Sequence, residues 1–279
     1  MKKHFCTFFI VLISVALLGG CDVSDNYLRP HGPVYQGSYL TDSQKIPPDT
    51  LTIVSYNIKY ARRVNEASDI LQEYPVLRQA DIYLLQEMES TGVDSLARRL
   101  RCDYLYYPAT KHIVAGHDFG NAILSKWPLE SPRKLILPHL NPLNKSIRIA
   151  ALGTVHIGSD SIRAVSLHLE TPLMQQNKKR DQVNKVITEL SRGYDGVVIG
   201  GDFNTANWAS IDFMNNLLTD AGFFQATRKI NFTARSNFFP FIKFKLDHIY
   251  IKKLELIESG KVVDFSASDH LPLWVRVSL

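Results

Sequence analysis

From Leu51 onward, short and nearly continuous apolar runs alternate with longer stretches in which apolar residues recur every three or four positions. The short runs, 51–58, 81–87, 120–125, 147–155, 161–169, 196–203, 245–251 and 271–279, are rich in β-branched and large apolar residues and predict strands. The 3.6-residue spacing of Leu, Ile, Val and Met predicts helices over 66–79, 92–101, 174–191 and 209–219. On the third of these, Lys178, Lys179, Arg180, Asp181 and Glu189 are expected on the polar face. Strands 147–155 and 161–169 follow one another almost directly, so hairpins mix with crossovers. That mixture favours two sheets stacked face to face with helices outside over a doubly wound sheet, and no internal repeat is visible.

Upstream of this pattern the chain changes character. Met1-Lys2-Lys3 is a short basic start, and Phe8 to Leu18 is an apolar stretch too short for a comfortable membrane span. It reads as a secretory signal over residues 1–20. Leu18-Gly19-Gly20-Cys21 resembles the bacterial lipobox, which implies lipidation of Cys21 and attachment to the membrane of the bacterial cell envelope; Asp22 leaves the leaflet open. The alternative is an ordinary cleaved signal with an incidental cysteine. Residues 21–50, with Pro, Gly and Ser and no apolar period, read as a tether, and 51–279 as one globular domain.

Composition adds little but excludes something. Of three cysteines, Cys6 leaves with the signal, Cys21 is the lipidation candidate and Cys102 remains alone, so no disulfide framework can form in the domain. Cys102 is expected to be a packing residue. The net charge is +5, or +3 for residues 21–279, a slight bias toward anionic partners.

The chemistry lies where the apolar runs stop. Asn57, Gln86-Glu87, Gly201-Asp202-Phe203-Asn204, Asp247-His248 and Ser268-Asp269-His270 each flank a predicted strand. Such groups are costly to bury singly, so strands ending in them on one rim point to a shared site. Glu87 and Asn57 are hard oxygen donors suited to Mg2+ or Mn2+. Asp202 and Asn204, two apart, face one way if the chain stays extended. His270 cannot easily use its neighbour Asp269 as partner, because adjacent side chains in extended backbone point apart; Asp247 is the candidate that would orient it. Taken one at a time, each cluster also has a bland reading as a surface carboxylate or an Asx-turn.

In order along the chain, Asn57, Gln86-Glu87, the segment Gly120–Ser125 around Asn121, Ser166-Leu167-His168, Gly201–Asn204, Asp247-His248 and Ser268–His270 resemble the endonuclease/exonuclease/phosphatase superfamily. The resemblance covers residues 51–279 and implies a four-layer α/β sandwich. It implies that Glu87, with Asn57 and Asp269, holds the metal, and that Asp202 and Asn204 position the attacking water and a phosphoryl oxygen. His270, oriented by Asp247, would act as general base or stabilise developing charge; His168 would contact phosphate and supply a proton to the leaving oxygen. Asn121 and Arg148 would contribute scaffold and substrate contacts, with a salt bridge as the alternative for Arg148. No serine elbow, P-loop lysine, HExxH or dinucleotide fingerprint competes with this reading.

Three functions follow: a metal-dependent phosphodiesterase or nuclease with nucleic acid among its candidate substrates, a phosphomonoesterase or lipid-headgroup phosphodiesterase, and a catalytically silent binding protein. A monomer is expected. The acid-free segment Ala221–Leu246, with five Lys or Arg and seven Phe, is expected beside the cleft, with most of its phenylalanines in the core as the bland reading.

Overall fold

A computed structural model describes residues 24–41, 46–112, 116–172, 174–190 and 193–279. Among the described residues, sixteen strands form two large sheets and one small ribbon. The eight-stranded sheet runs β1 (Asp25–Asn26), β5 (Asp103–Lys111), β6 (Asp118–Ser125), β4 (Ile82–Met88), β3 (Thr50–Asn57), β16 (Leu273–Ser278), β15 (Glu255–Lys261), with β2 (Tyr35–Ser38) also paired to β5. The six-stranded sheet runs β11 (Phe224–Gln225), β14 (Asp247–Lys252), β10 (Gly196–Asp202), β9 (Asp160–His168), β8 (Ile149–Ile157), β7 (Leu129–Ile136). The ribbon pairs β12 (Ala234–Arg235) with β13 (Lys243–Phe244). Parallel β3–β4 and β9–β10 pairs sit among antiparallel neighbours, so both large sheets are mixed.

Alternation along the strands sorts the apolar residues into three layers of core. Leu51, Ile53, Ile82, Leu84 and Ile123 meet Ile149, Val198 and Ile249 between the sheets. Val54, Tyr56, Tyr83 and Leu85 face outward against α1 (Val64–Glu73), α2 (Pro75–Arg78) and α3 (Ser90–Leu100). Val165, Val197 and Ile199 pack on Val183 and Val186 of α4 (Gln176–Glu189) and on Met214 and Leu218 of α5 (Trp208–Asp220). Strands buried on both faces read as unbroken apolar runs for this reason. The result is the helix–sheet–sheet–helix sandwich expected above.

The structure departs from the sequence expectations in four places. The helix expected over 66–79 breaks at Tyr74, held extended (φ −85°, ψ 117°) by the following Pro75. Strands β5, β7 and β15 lacked a clear signal: β5 contains Pro108 and a register shift, while β7 and β15 are polar outer strands. Lys179, expected on a polar helix face, is buried at the inner face of α4. Finally, residues 24–38, expected to be tether, run along the domain and pair as β1 and β2 with β5. An edge strand with mostly exposed side chains gives no hydrophobic period, so its backbone pairing is invisible in sequence. No helix among the described residues is long and apolar enough to cross a membrane. Residues 1–20 and Cys21 lie outside the described residues.

Candidate active site

The polar strand ends meet at one rim of the sandwich. Asp202, closing β10, stands opposite His168 at the end of β9 and Asp247 at the start of β14. Asn57, closing β3, stands opposite Gln86, which in turn faces Asn121. The two glycines before Asp202 let the strands approach closely. A Cβ at Gly201 would lie 1.8 Å from the Leu167 carbonyl oxygen, and one at Gly200 would lie 2.6 Å from Leu84 Cδ1.

Asn57 is fully buried and joins the two sheets: its Nδ2 donates to Glu87 Oε1 and to Asp202 Oδ2, each at 3.1 Å. Glu87 sits at a register shift between Gln86 and Met88 with φ 61°, which turns its carboxylate out of the ordinary strand alternation. Its other oxygen accepts the Tyr60 N–H at 3.0 Å. That N–H is delivered by three consecutive left-handed residues, Lys59, Tyr60 and Ala61 (φ 29°, 55° and 50°). A left-handed L-residue costs roughly 1–2 kcal/mol. Four of them around one carboxylate store strain at the site.

Their surroundings push the two rim histidines in opposite directions. His270 Nδ1 lies 2.9 Å from Asp247 Oδ2, and Asp247 is itself held by the Thr233 hydroxyl, which donates to it at 2.6 Å. Burial alone would push His270 down, but the Asp247 carboxylate beside it, then Asp202 and Asp269, outweigh this and hold it up at about 10. Its Nε2 faces Asp202 Oδ2 at 3.9 Å. His168 Nε2 lies 3.6 Å from the same oxygen, yet burial, with the positive charges of Arg148 and His270, holds His168 well below its ordinary value. Burial also raises Asp202 to about 7, and raises Glu87. Adjacent to Asp247, His248 points into the sheet instead, bonded to Thr205 Oγ1 at 2.8 Å and Gln225 Nε2 at 2.7 Å, and burial lowers it to about 3.

The remaining predicted residues fall as follows. Asn204 has φ 52°, donates its N–H to Asp202 Oδ1 at 2.8 Å and its Nδ2 to the Leu169 carbonyl at 3.0 Å. Asn121 Nδ2 donates to the Ile149 and Ser166 carbonyls of the opposite sheet, at 3.0 and 2.9 Å. Arg148 is buried, with Nη1 3.4 Å from His168 Nδ1 and Nη2 3.5 Å from Glu170 Oε1. Its salt bridge is therefore internal. Asp269 meets Lys59 Nζ at 3.2 Å, and its charge is among those that raise Glu87.

Several neighbours escaped the sequence reading. Glu170, two residues past His168 and thus on its side of the chain, is fully buried against Arg148 and Asn141. Lys179 Nζ donates to the Asn204 carbonyl at 2.8 Å. Tyr60, His112 and Phe119 form an aromatic wall that reaches His168, the Phe119–His168 ring centroids being 5.7 Å apart. Only the spacing of Glu170 from His168 offered a signal; the others depend on the turn of the chain.

The donor set fits a hard divalent cation. One ligand atom from each of Glu87, His168 and Asp202 lies within 4.8 Å of the others, and Asp202, Asp247 and His270 form a second such group. The carboxylates of half-buried Glu87 and buried Asp202 are held above their ordinary values, a cost that a cation between them would relieve. Beside Asp269 opens a hollow of about 320 Å³, lined also by Lys59, Arg62, Arg63 and Arg235.

A mixed two-sheet sandwich with carboxylates, amides and histidines converging at one rim is a setting suited to hydrolytic chemistry. The chain belongs to the Endonuclease/Exonuclease/phosphatase family, which it matches over residues 54–270, and it is an enzyme that hydrolyses phosphoester bonds. No curated protein is matched by its sequence. Among solved structures it is similar to the endonuclease/exonuclease/phosphatase from Bacteroides vulgatus (14% identity, TM-score 0.67, covering 83% of this chain and 100% of that one). It is also similar to D. rerio TDP2 complexed with a single-strand DNA product (17%, 0.65, 83% and 100%). A third is ANGEL2, a 2',3'-cyclic phosphatase (14%, 0.63, 88% and 99%). At such identities the likeness is one of fold.

Proposed function

We propose that the protein is a divalent-cation-dependent phosphodiester hydrolase tethered to the bacterial cell envelope through Cys21. The observation that carries the reading is the meeting of Glu87, Asn57, Asp202 and His168 from both sheets with the Asp247–His270 pair. Glu87, Asp202 and His168, with Asn57 aligning the two carboxylates, would hold Mg2+ or Mn2+. A bound cation of this kind neutralises phosphate charge and lowers the barrier to attack on phosphorus.

The chain's own groups divide the remaining work. Asp202, fixed by the Asn204 N–H, is suited to orient a water at the site. His270 is held as a cation by Asp247, so it suits stabilisation of negative charge developing on a phosphoryl oxygen better than proton abstraction. Arg148 backs His168 from the interior, and Asp269 keeps Lys59 at the mouth of the site. TDP2's single-strand DNA product makes nucleic acid one candidate substrate class here. A silent binding role is disfavoured because the full set of carboxylates, amides and histidines is present and hydrogen-bonded at one rim.

The test is hydrolysis of bis-p-nitrophenyl phosphate, p-nitrophenyl phosphate and plasmid DNA with Mg2+, with Mn2+ and with chelator. Chelator-sensitive diester cleavage supports the reading. Cleavage of the monoester alone would move it to a phosphatase, and activity indifferent to chelator would overturn cation dependence.

A further inference from the structure

The segment expected to be a tether enters the domain at the catalytic rim. Ser24 N–H donates to the Asn144 carbonyl at 3.1 Å, Asn26 Nδ2 donates to the Lys145 carbonyl at 2.9 Å, and Asn26 Oδ1 accepts the Ile147 N–H at 3.0 Å. These bonds fix the start of the domain on the loop between β7 and β8, whose far end is Arg148 beside His168. Cys21 lies three residues before Ser24, so extended chain separates the two by at most about 11 Å. An acyl chain on Cys21 could not let this rim drift far from a bilayer.

The same rim is unusually apolar outside. Leu143 on the 137–148 loop is 66% exposed, Trp208 at the start of α5 is 72% exposed, and Phe238 and Phe241 are 89% and 78% exposed. Of the seven phenylalanines in 221–246 only Phe223 is buried, so the core-packing expectation fails for this segment. The Phe238–Phe241 turn is built: Ser236 Oγ accepts the Phe238 and Phe239 N–H groups, and the Ile242 N–H closes on the Phe239 carbonyl at 2.8 Å. It is also tied to the catalytic segment, since the Arg235 N–H donates to the Asp269 carbonyl at 2.9 Å and Ala234 bridges to His270. Arg62, Arg63, Lys111, Lys145 and Lys243 are exposed on the loops and strand ends around it. Aromatic side chains ringed by cations and placed beside an acyl anchor match an anionic membrane interface.

We propose that the catalytic rim is a membrane-docking face, seated on an anionic bilayer by Leu143, Trp208 and the Phe238–Phe241 turn, so that the site works on phosphoesters presented at the membrane surface. The proposal rests on the envelope-tethered reading above. An anchored enzyme with a long free tether would be oriented at random; here the short entry and the apolar loops impose one orientation.

The experiment uses the full chain reconstituted into phosphatidylglycerol–phosphatidylethanolamine vesicles with brominated acyl chains. Trp208 emission is isolated as the difference between wild type and Trp208→Phe, which leaves Trp127 and Trp274. The expected result is strong quenching of Trp208. Phe238→Ser with Phe241→Ser should relieve the quenching and weaken vesicle partition of chain lacking the lipid acceptor (Cys21→Ser) by about tenfold. Hydrolysis of soluble bis-p-nitrophenyl phosphate by that Phe variant should be unchanged. Vesicle-bound protein whose Trp208 is unquenched, or quenching indifferent to the Phe substitutions, would overturn the docking face, as would capture of single-stranded DNA with vesicles ignored. The mass of the N-terminal peptide reports lipidation separately. An unmodified Cys21 with quenching retained would remove the anchor and leave the docking face standing. Quenching without any diester hydrolysis would refute the proposed chemistry alone.

Discussion

The two ends of the sandwich each hold a cation-lined hollow, and only one of them is built for chemistry. The larger, about 550 Å³, lies at the far end among Arg78, Arg99, Arg101 and Lys126, where β6 finishes and β4 and β5 begin. Among the described residues, no carboxylate or histidine lines it. The smaller, about 320 Å³, is lined by Ser268 and Asp269, next in the chain to His270, on the rim where Glu87, Asp202, Asp247 and two histidines gather. Size and positive charge are therefore poor guides. What separates the ends is burial of ionisable groups that displace one another's proton affinities, as Asp202 and His270 do at the rim.

Substitutions at the two ends should break this symmetry of appearance. The largest effect is expected for Glu87→Gln and Asp202→Asn, each lowering diester turnover by about 10³-fold while leaving the fold intact, as circular dichroism would check. Arg78→Ala and Arg99→Ala at the far end should leave turnover within about twofold of wild type. A far-end loss as large as the rim loss would erase the distinction drawn here.

Next comes the Asp247–His270 pair. Asp247→Asn should cost about 10²-fold in turnover, a typical acid–base contribution. It should also change stability in a defined direction. His270 is raised to about 10 from an ordinary 6.5, so the stability it contributes is complete below 6.5 and lost as pH climbs through 10. Asp202, raised from 3.8 to about 7, also makes stability fall with rising pH, between those two values. In chelator, the wild-type unfolding midpoint should therefore decline from pH 7 to 10, and Asp247→Asn should flatten that decline. An unchanged slope would mean that Asp247 does not hold the charge on His270.

Close packing at the rim gives a smaller, structural effect. Gly201→Ala places a Cβ against the Leu167 carbonyl, and overpacking of this kind costs about 1–3 kcal/mol, readable by denaturant unfolding. The smallest effect is expected for Arg62→Ala. It should weaken binding of an anionic substrate a few-fold at low salt and not at all at high salt, because that guanidinium is exposed.

Much of the site was legible because strand ends are legible. Asn57, Glu87, Asp202 and Asp247 each follow or precede an apolar run, and two stacked mixed sheets bring such ends to one rim. Partner choice was legible too. The alternation argument that separates Asp269 from His270 left Asp247 as partner, and His270 Nδ1 lies 2.9 Å from it. What stayed hidden depends on backbone that sequence does not advertise. No glycine marks the left-handed turn at Lys59–Ala61 or the bulge at Glu87, so the Tyr60 N–H gave no signal. Lys179 looked solvated because its neighbours Lys178 and Arg180 are charged, yet helix geometry turns it alone toward Asn204. The edge strands of residues 25–38 were hidden by their polarity, and with them the place where the chain enters the domain.

The most direct measurement of the central claim is the Mg2+ and Mn2+ dependence of bis-p-nitrophenyl phosphate hydrolysis by the full chain, wild type against Glu87→Gln. Hydrolysis should rise with cation, vanish in chelator and be nearly absent in the variant at any cation concentration. Cation-independent turnover, or a Glu87→Gln protein as active as wild type, would contradict that claim.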